Sequence, residues 1–265
     1  MLLQHEADLA EGSLSVGLTS LRNATVSDKR QFYTGFFNTT IAFERLMKLI
    51  VVVDHMLSNE FVPPTKQELK SYGHDLVTLY ESAVDVALRN DIPNIEIPEQ
   101  GSLEFSILQM FSDFAKYARY YNLDALRTNS TADTDPLSDW EAIIDEVVEH
   151  DVPAKKLMKL LEEIGYLVEL IEEHTFLINS GMGGEPLTLL QAFSLPQKQS
   201  IAAPYLMVRV FNLLAPIIEV VSDLGQKGFY TRAPDNSGPH VPLFHETLVY
   251  FKGDNAQIRR KKRWP

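Results

Sequence analysis

Ser71-Tyr72-Gly73-His74-Asp75-Leu76-Val77-Thr78-Leu79-Tyr80 decides how this chain reads. It follows Pro63-Pro64-Thr65-Lys66-Gln67-Glu68, a sharp helix start. The prolines block extension backward. Thr65 and Glu68 have capping-box spacing, in which each side chain bonds the other residue's backbone N–H. The periodicity predicts one helix from there to about Asn90. Leu69, Tyr72, Leu76, Tyr80, Ala83 and Ala87 form its buried stripe, with Lys70, His74, Thr78, Glu81 and Asp85 on the other side. Gly73 inside such a helix costs roughly 0.5–1 kcal/mol relative to alanine, a cost that close approach of another backbone would justify.

Outward from this helix, the pattern stays helical. Residues 27–58 carry Phe32, Phe36, Phe37, Ile41, Leu46, Ile50, Val53 and Leu57 at helical spacing, with Ser27 or Asp28 as the cap. Apolar residues cover much of its circumference, so it reads as a central helix. Glu44 and Lys48 are an i,i+4 pair in the favourable order. Residues 1–26 lack clear periodicity and read as a loop or irregular cap. Asp91 to Pro98 is a connector. Ser102 to Asn122 predicts a third helix, with Leu103, Ile107, Phe111, Phe114, Ala118 and Tyr121 inside. Residues 127–138 are the most polar stretch and read as an internal boundary or a flexible loop.

Beyond it, Trp140–His150 is a short acidic helix and Ala154–Asn179 a long one. Ser180-Gly181-Met182-Gly183-Gly184 caps the latter. This Gly-rich loop lacks the strand before it and the Gly-Lys-Ser/Thr that a phosphate loop requires. Leu187–Phe193 is a short helix. Gln197–Leu224 is a long apolar helix kinked or broken by Pro204 and Pro216 and ended by Gly225 and Gly228. Val241–Phe251 is rich in β-branched and aromatic residues. With Lys252-Gly253-Asp254-Asn255 as a turn, Ala256–Trp264 would return as the second arm of a hairpin. The expected class is mainly α, with strand confined to a small C-terminal β-hairpin.

The chain's 265 residues, 45% of them hydrophobic, suffice for a sizeable core and exclude wholesale disorder. The absence of cysteine removes disulfides, thiol catalysis and Cys-based zinc sites. Met1-Leu2-Leu3-Gln4-His5-Glu6 has no basic n-region. The apolar run Leu46–Val53 is far shorter than the roughly 20 residues of a membrane span. A soluble cytoplasmic protein without membrane partners is expected. Net charge is −12, so any nucleic-acid contact needs a local basic patch. Arg259-Arg260-Lys261-Lys262-Arg263 holds five of the 24 Lys and Arg residues. It reads either as a frayed, solubilising tail or as that patch.

Catalytic signatures are few. The histidines show no His-Glu-x-x-His spacing, and no Gly-x-Ser-x-Gly elbow is present, so no metal or cofactor is expected. Glu162-Glu163 and Glu172-Glu173 read as solvated faces. What remains is His74-Asp75 and Arg119-Tyr120-Tyr121. They serve either to fix helix register, with Arg119 paired to Asp75 or Glu44, or to bind a ligand. In the enzymatic version His74 is a general base and Arg119 stabilises an anion. On antiparallel helices the two would share one polar site.

A long apolar helix with Glu44 and Lys48, then Tyr72-Gly73-His74-Asp75-Leu76 and Leu79, then a helix ending Ala118-Arg119-Tyr120, resembles the HEPN family (higher eukaryotes and prokaryotes nucleotide-binding domains). The resemblance covers about residues 27–128. It implies an antiparallel helical bundle, commonly a homodimer, with nucleotide or RNA as ligand. Residues 136–258 would add further helices packed on it, and 259–265 the basic tail. Many relatives are metal-independent ribonucleases of toxin–antitoxin or phage-defence systems that use Arg-x4–6-His. This chain departs there: Arg232 and His240 come closest, with seven residues between. The resemblance therefore implies nucleotide or RNA binding through His74, Asp75, Arg119, Tyr120, Glu44 and Lys48. The alternatives are a divergent endoribonuclease, or an interaction protein that docks a protein partner.

Overall fold

Ala7, Ala10, Leu14, Leu18 and Leu21 are all buried, which shows that residues before the first predicted helix have helical spacing after all. A computed structural model describes residues 2–117, 135–171, 180–233 and 238–265. Leu2–Asn23 is helix α1, where the sequence suggested a loop or irregular cap. Its two glycines have different roles. Gly12 faces open space, whereas a Cβ on Gly17 would stand 2.7 Å from the backbone nitrogen of Thr39. Gly17 thus lets α1 cross closely over α2 (Arg30–Ser58). Gly35 of α2 meets Leu21 in the same way.

The predicted helix over 65–90 is two helices, α3 (Lys66–Ser71) and α4 (Leu76–Arg89). The Thr65–Glu68 capping box is present and starts α3. Gly73 has φ +60°, a left-handed conformation that side-chain-bearing residues resist, and a Cβ there would touch nothing. Its role is therefore to turn the chain and not to admit a neighbouring backbone. Asp75 then caps α4, accepting from the amides of Val77 and Thr78.

Helix α5 (Leu103–Lys116) is capped by Ser102, and α6 (Pro136–His150) by Asp135 with Pro136 in its first turn. Helix α7 spans Ala154–Ile171 and buries only Ile164. Helix α8 runs unbroken from Leu189 to Tyr230 through Pro196, Pro204 and Pro216, where the sequence suggests a short helix and then a long one kinked or broken at Pro204 and Pro216. A proline costs about 3 kcal/mol inside an isolated helix. Burying a single large aliphatic side chain yields roughly 1.5–3 kcal/mol. Leu206, Met207, Val210, Leu213, Leu214, Ile217 and Ile218 are all buried, so packing overrides the breakers. By length and composition α8 could cross a membrane, and 56% of its most apolar window is buried within the protein.

No strand occurs among the described residues, and the C-terminal hairpin is replaced by helix. Phe244–Leu248 forms α9, a 3₁₀ turn covers Val249–Phe251, and Asn255–Arg260 forms α10. Composition there favours strand, but Phe244, Leu248 and Phe251 recur at helical spacing and are buried. The supposed turn supplies Asp254, which closes a capping box with Gln257. Gly225 and Gly228 do not end α8. A Cβ at either would strike Phe244 or Val241, so they form the bed on which this segment lies.

One buried cluster joins residues from Ala7 to Trp264, on both sides of the polar stretch 127–138. Trp140 lies near its centre, edge-on to Phe36 at 5.1 Å and stacked on Phe111 at 5.8 Å. Arg209 of α8 ties the parts together. It donates to Asp151 at 2.6 and 2.8 Å and to Glu104 at 2.9 Å. The Gly-rich loop is likewise structural: Lys29 donates to the carbonyls of Gly181 and Met182, and the Met182 amide donates to Glu141.

Candidate ligand-binding site

Helix α2 sets one turn of polar residues, Glu44, Arg45 and Lys48, between apolar Ile41, Leu49 and Val52. The first turns of α1 close one side with Leu2, Leu3 and Glu6. Leu69 of α3 and His74 of the α3–α4 break close the other. Together they line a pocket of about 540 Å³. The break is what puts His74 there. Had the helix continued, His74 would have stayed on its outer face. The turn at Gly73 swings it toward α2, where its Nδ1 lies 3.0 Å from both oxygens of Glu44.

Glu44 is the polar hub. Its side chain is 15% exposed, against 62% for His74. Lys48 Nζ donates to it at 2.8 Å. Burial alone would raise the Glu44 carboxyl, but the hydrogen bonds from Lys48 and His74 outweigh that and hold it below its usual value. In the neutral tautomer that carries its proton on Nδ1, His74 donates to the carboxylate and Nε2 is left as the acceptor. Arg45 is paired with Glu6 across the α1–α2 contact. The polar rim thus carries two carboxylates, two fixed cations and one imidazole over aliphatic walls.

Asp75 does not join this group, although the sequence placed it beside His74. It faces α5, accepting from Ser112 Oγ at 3.0 Å and Lys116 Nζ at 2.8 Å. Ser112 Oγ in turn accepts from the Leu76 amide. Burial would raise the Asp75 carboxyl, and these bonds hold it below its usual value instead. Its role is to cap α4 and fasten it to α5. Arg119 and Tyr120 lie outside the described residues, and with them the expected His74–Arg119 site.

Of the residues singled out in the sequence, Glu44, Lys48 and His74 line this pocket; Arg45, Glu6 and the leucines of α1 line it too and were not singled out. Leu3, Ala7, Ala10 and Leu14 at helical spacing were the available signal for α1. Nothing local pairs Glu6 with Arg45, 39 positions apart. No group of three or more His, Asp or Glu able to hold a metal occurs among the described residues.

The basic tail is not frayed. Ile258 and Trp264 are buried, and Trp264 stacks on Phe211 at 5.8 Å. The Trp264 amide donates to Thr19 Oγ1 at 3.0 Å, and Asn23 Nδ2 donates to the Lys262 carbonyl at 2.7 Å. Arg259, Arg260, Lys262 and Arg263 remain exposed on this fixed backbone. Lys261 is engaged with the Tyr250 carbonyl.

No protein family, no curated protein and no solved structure matches this chain.

Proposed function

We propose that this is a HEPN-like helical binding protein whose pocket between α1, α2 and α3 takes a small anionic ligand of the nucleotide class. The observation that carries this reading is one preformed cavity that combines aliphatic walls with Arg45, Lys48 and His74 on its rim. Its volume of about 540 Å³ lies within the range usual for small-molecule sites. A phosphate entering beside His74 competes with Glu6 for Arg45 and with Glu44 for Lys48. A terminal phosphate spreads its charge of about −1.5 to −2 over three acceptor oxygens, one more than either carboxylate offers. The apolar part of the ligand covers Ile41, Leu49, Val52 and Leu69.

Calorimetric titration with mono- and dinucleotides tests this. Arg45→Ala and Lys48→Ala are each expected to weaken binding at least tenfold while the fold is retained. Absence of any nucleotide binding at millimolar concentration overturns the reading. A second reading, metal-independent RNA cleavage, is favoured by the Glu44–His74 pair, because a carboxylate on Nδ1 orients Nε2 as a base. RNA degradation in the presence of a chelator that His74→Ala abolishes would select it.

A further inference from the structure

We propose that the C-terminal segment and the start of α7 form a single basic surface that binds the phosphate backbone of single-stranded nucleic acid. Folding brings one cation from each of two distant basic runs onto Tyr205. Lys156 Nζ stands 5.9 Å from the Tyr205 ring centre and the Arg259 guanidinium 5.6 Å. Lys155, Lys156, Arg259, Arg260, Lys262 and Arg263 are all exposed. Among the described residues, none of these six forms an ion pair with a carboxylate. The neighbouring Asp151 is held by Arg209, which also holds Glu104.

The surface is built in advance of binding. Trp264 in the core and the Lys262 carbonyl on Asn23 fix the backbone that carries the tail cations. Binding then orders only side chains, so less conformational entropy is lost than in a free tail. The chain as a whole carries −12, so a polyanion is repelled elsewhere and directed here. A planar guanidinium lying over a tyrosine is also a platform on which bases stack, a contact that acidic peptides cannot use. That favours nucleic acid over an acidic protein segment.

The test is fluorescence anisotropy of a labelled oligothymidylate with the full chain across a salt series. Each neutralised phosphate contributes about 0.7 to the slope of log affinity against log salt. The variant R259A/R260A/K262A/R263A is expected to bind at least tenfold more weakly, with a slope flatter by about 3. The variant K155A/K156A lies on the other segment and is expected to flatten it by about 1.4. Unchanged affinity and slope in both variants overturns the proposal. So does equal, equally salt-dependent binding of poly-glutamate, which would mark an acidic protein partner. Nucleotide titration of the same variants keeps this result separate from the pocket, because neither variant touches a pocket residue.

Discussion

Asp75→Ala separates the residue that builds the fold from the neighbour that faces the pocket. Three losses follow from the structure. Removing an N-cap carboxylate costs about 1 kcal/mol, within a range of 0.5–2. Ser112 Oγ is fully buried and keeps the Leu76 amide, but its hydroxyl loses the acceptor it donates to. A buried donor left unsatisfied costs roughly 1–3 kcal/mol. The Lys116 ion pair is partly exposed on the Asp75 side and adds about 0–1 kcal/mol. Because the three share one carboxylate they do not simply add, and a total of about 2–3 kcal/mol is expected. Urea unfolding should show the midpoint falling with an unchanged slope. Thermal unfolding should drop by roughly 5–10 °C. Asp75→Asn keeps an oxygen for the cap and for Ser112, so it should lose only about 1 kcal/mol. Nucleotide affinity of both variants should match the wild type at a temperature where both are folded. A stability change in Asp75→Ala below about 0.5 kcal/mol would refute the reasoning. So would loss of ligand binding by folded Asp75→Asn, which would put the carboxylate in the site.

The same substitution at two glycines of α1 should act in opposite directions. Gly12→Ala gains up to about 1 kcal/mol of helix propensity, whereas Gly17→Ala drives a methyl against the Thr39 backbone and should lose about 1–2 kcal/mol net; equal melting temperatures would contradict the close α1–α2 crossing. Stability should also fall on acidification. Glu44, Asp75 and Glu104 are held below their usual carboxyl values by hydrogen bonds that outweigh their burial. Their contribution is therefore complete above the unfolded value near pH 4 and lost as pH falls through the folded ones. Asp135 and Glu141, raised by burial, work in the opposite sense. Urea midpoints measured down to about pH 3 should decline, and more shallowly in Asp75→Asn; a flat profile would count against these bonds.

Helical class, the start of α3 and the Glu44–Lys48 pair could be read directly from the sequence. Each depends on residues three or four apart, and such neighbours meet in any helix whatever surrounds it. The same local rules went astray where distant contacts outweighed them. Gly17 looks like a breaker until Thr39 lies against it. The prolines of α8 look like stops until its sides are buried. Residues 241–264 have strand composition, but the bed formed by Gly225 and Gly228 accepts a helix. At Gly73 a left-handed turn and a close approach call for the same residue, and only the φ of +60° tells them apart. The pocket needed Glu6, Arg45 and His74 from three elements, and the basic surface needed Lys156 and Arg259 on one tyrosine. Periodicity states which face of a helix is apolar; only packing of all the helices together decides which faces meet, and so which charges become neighbours.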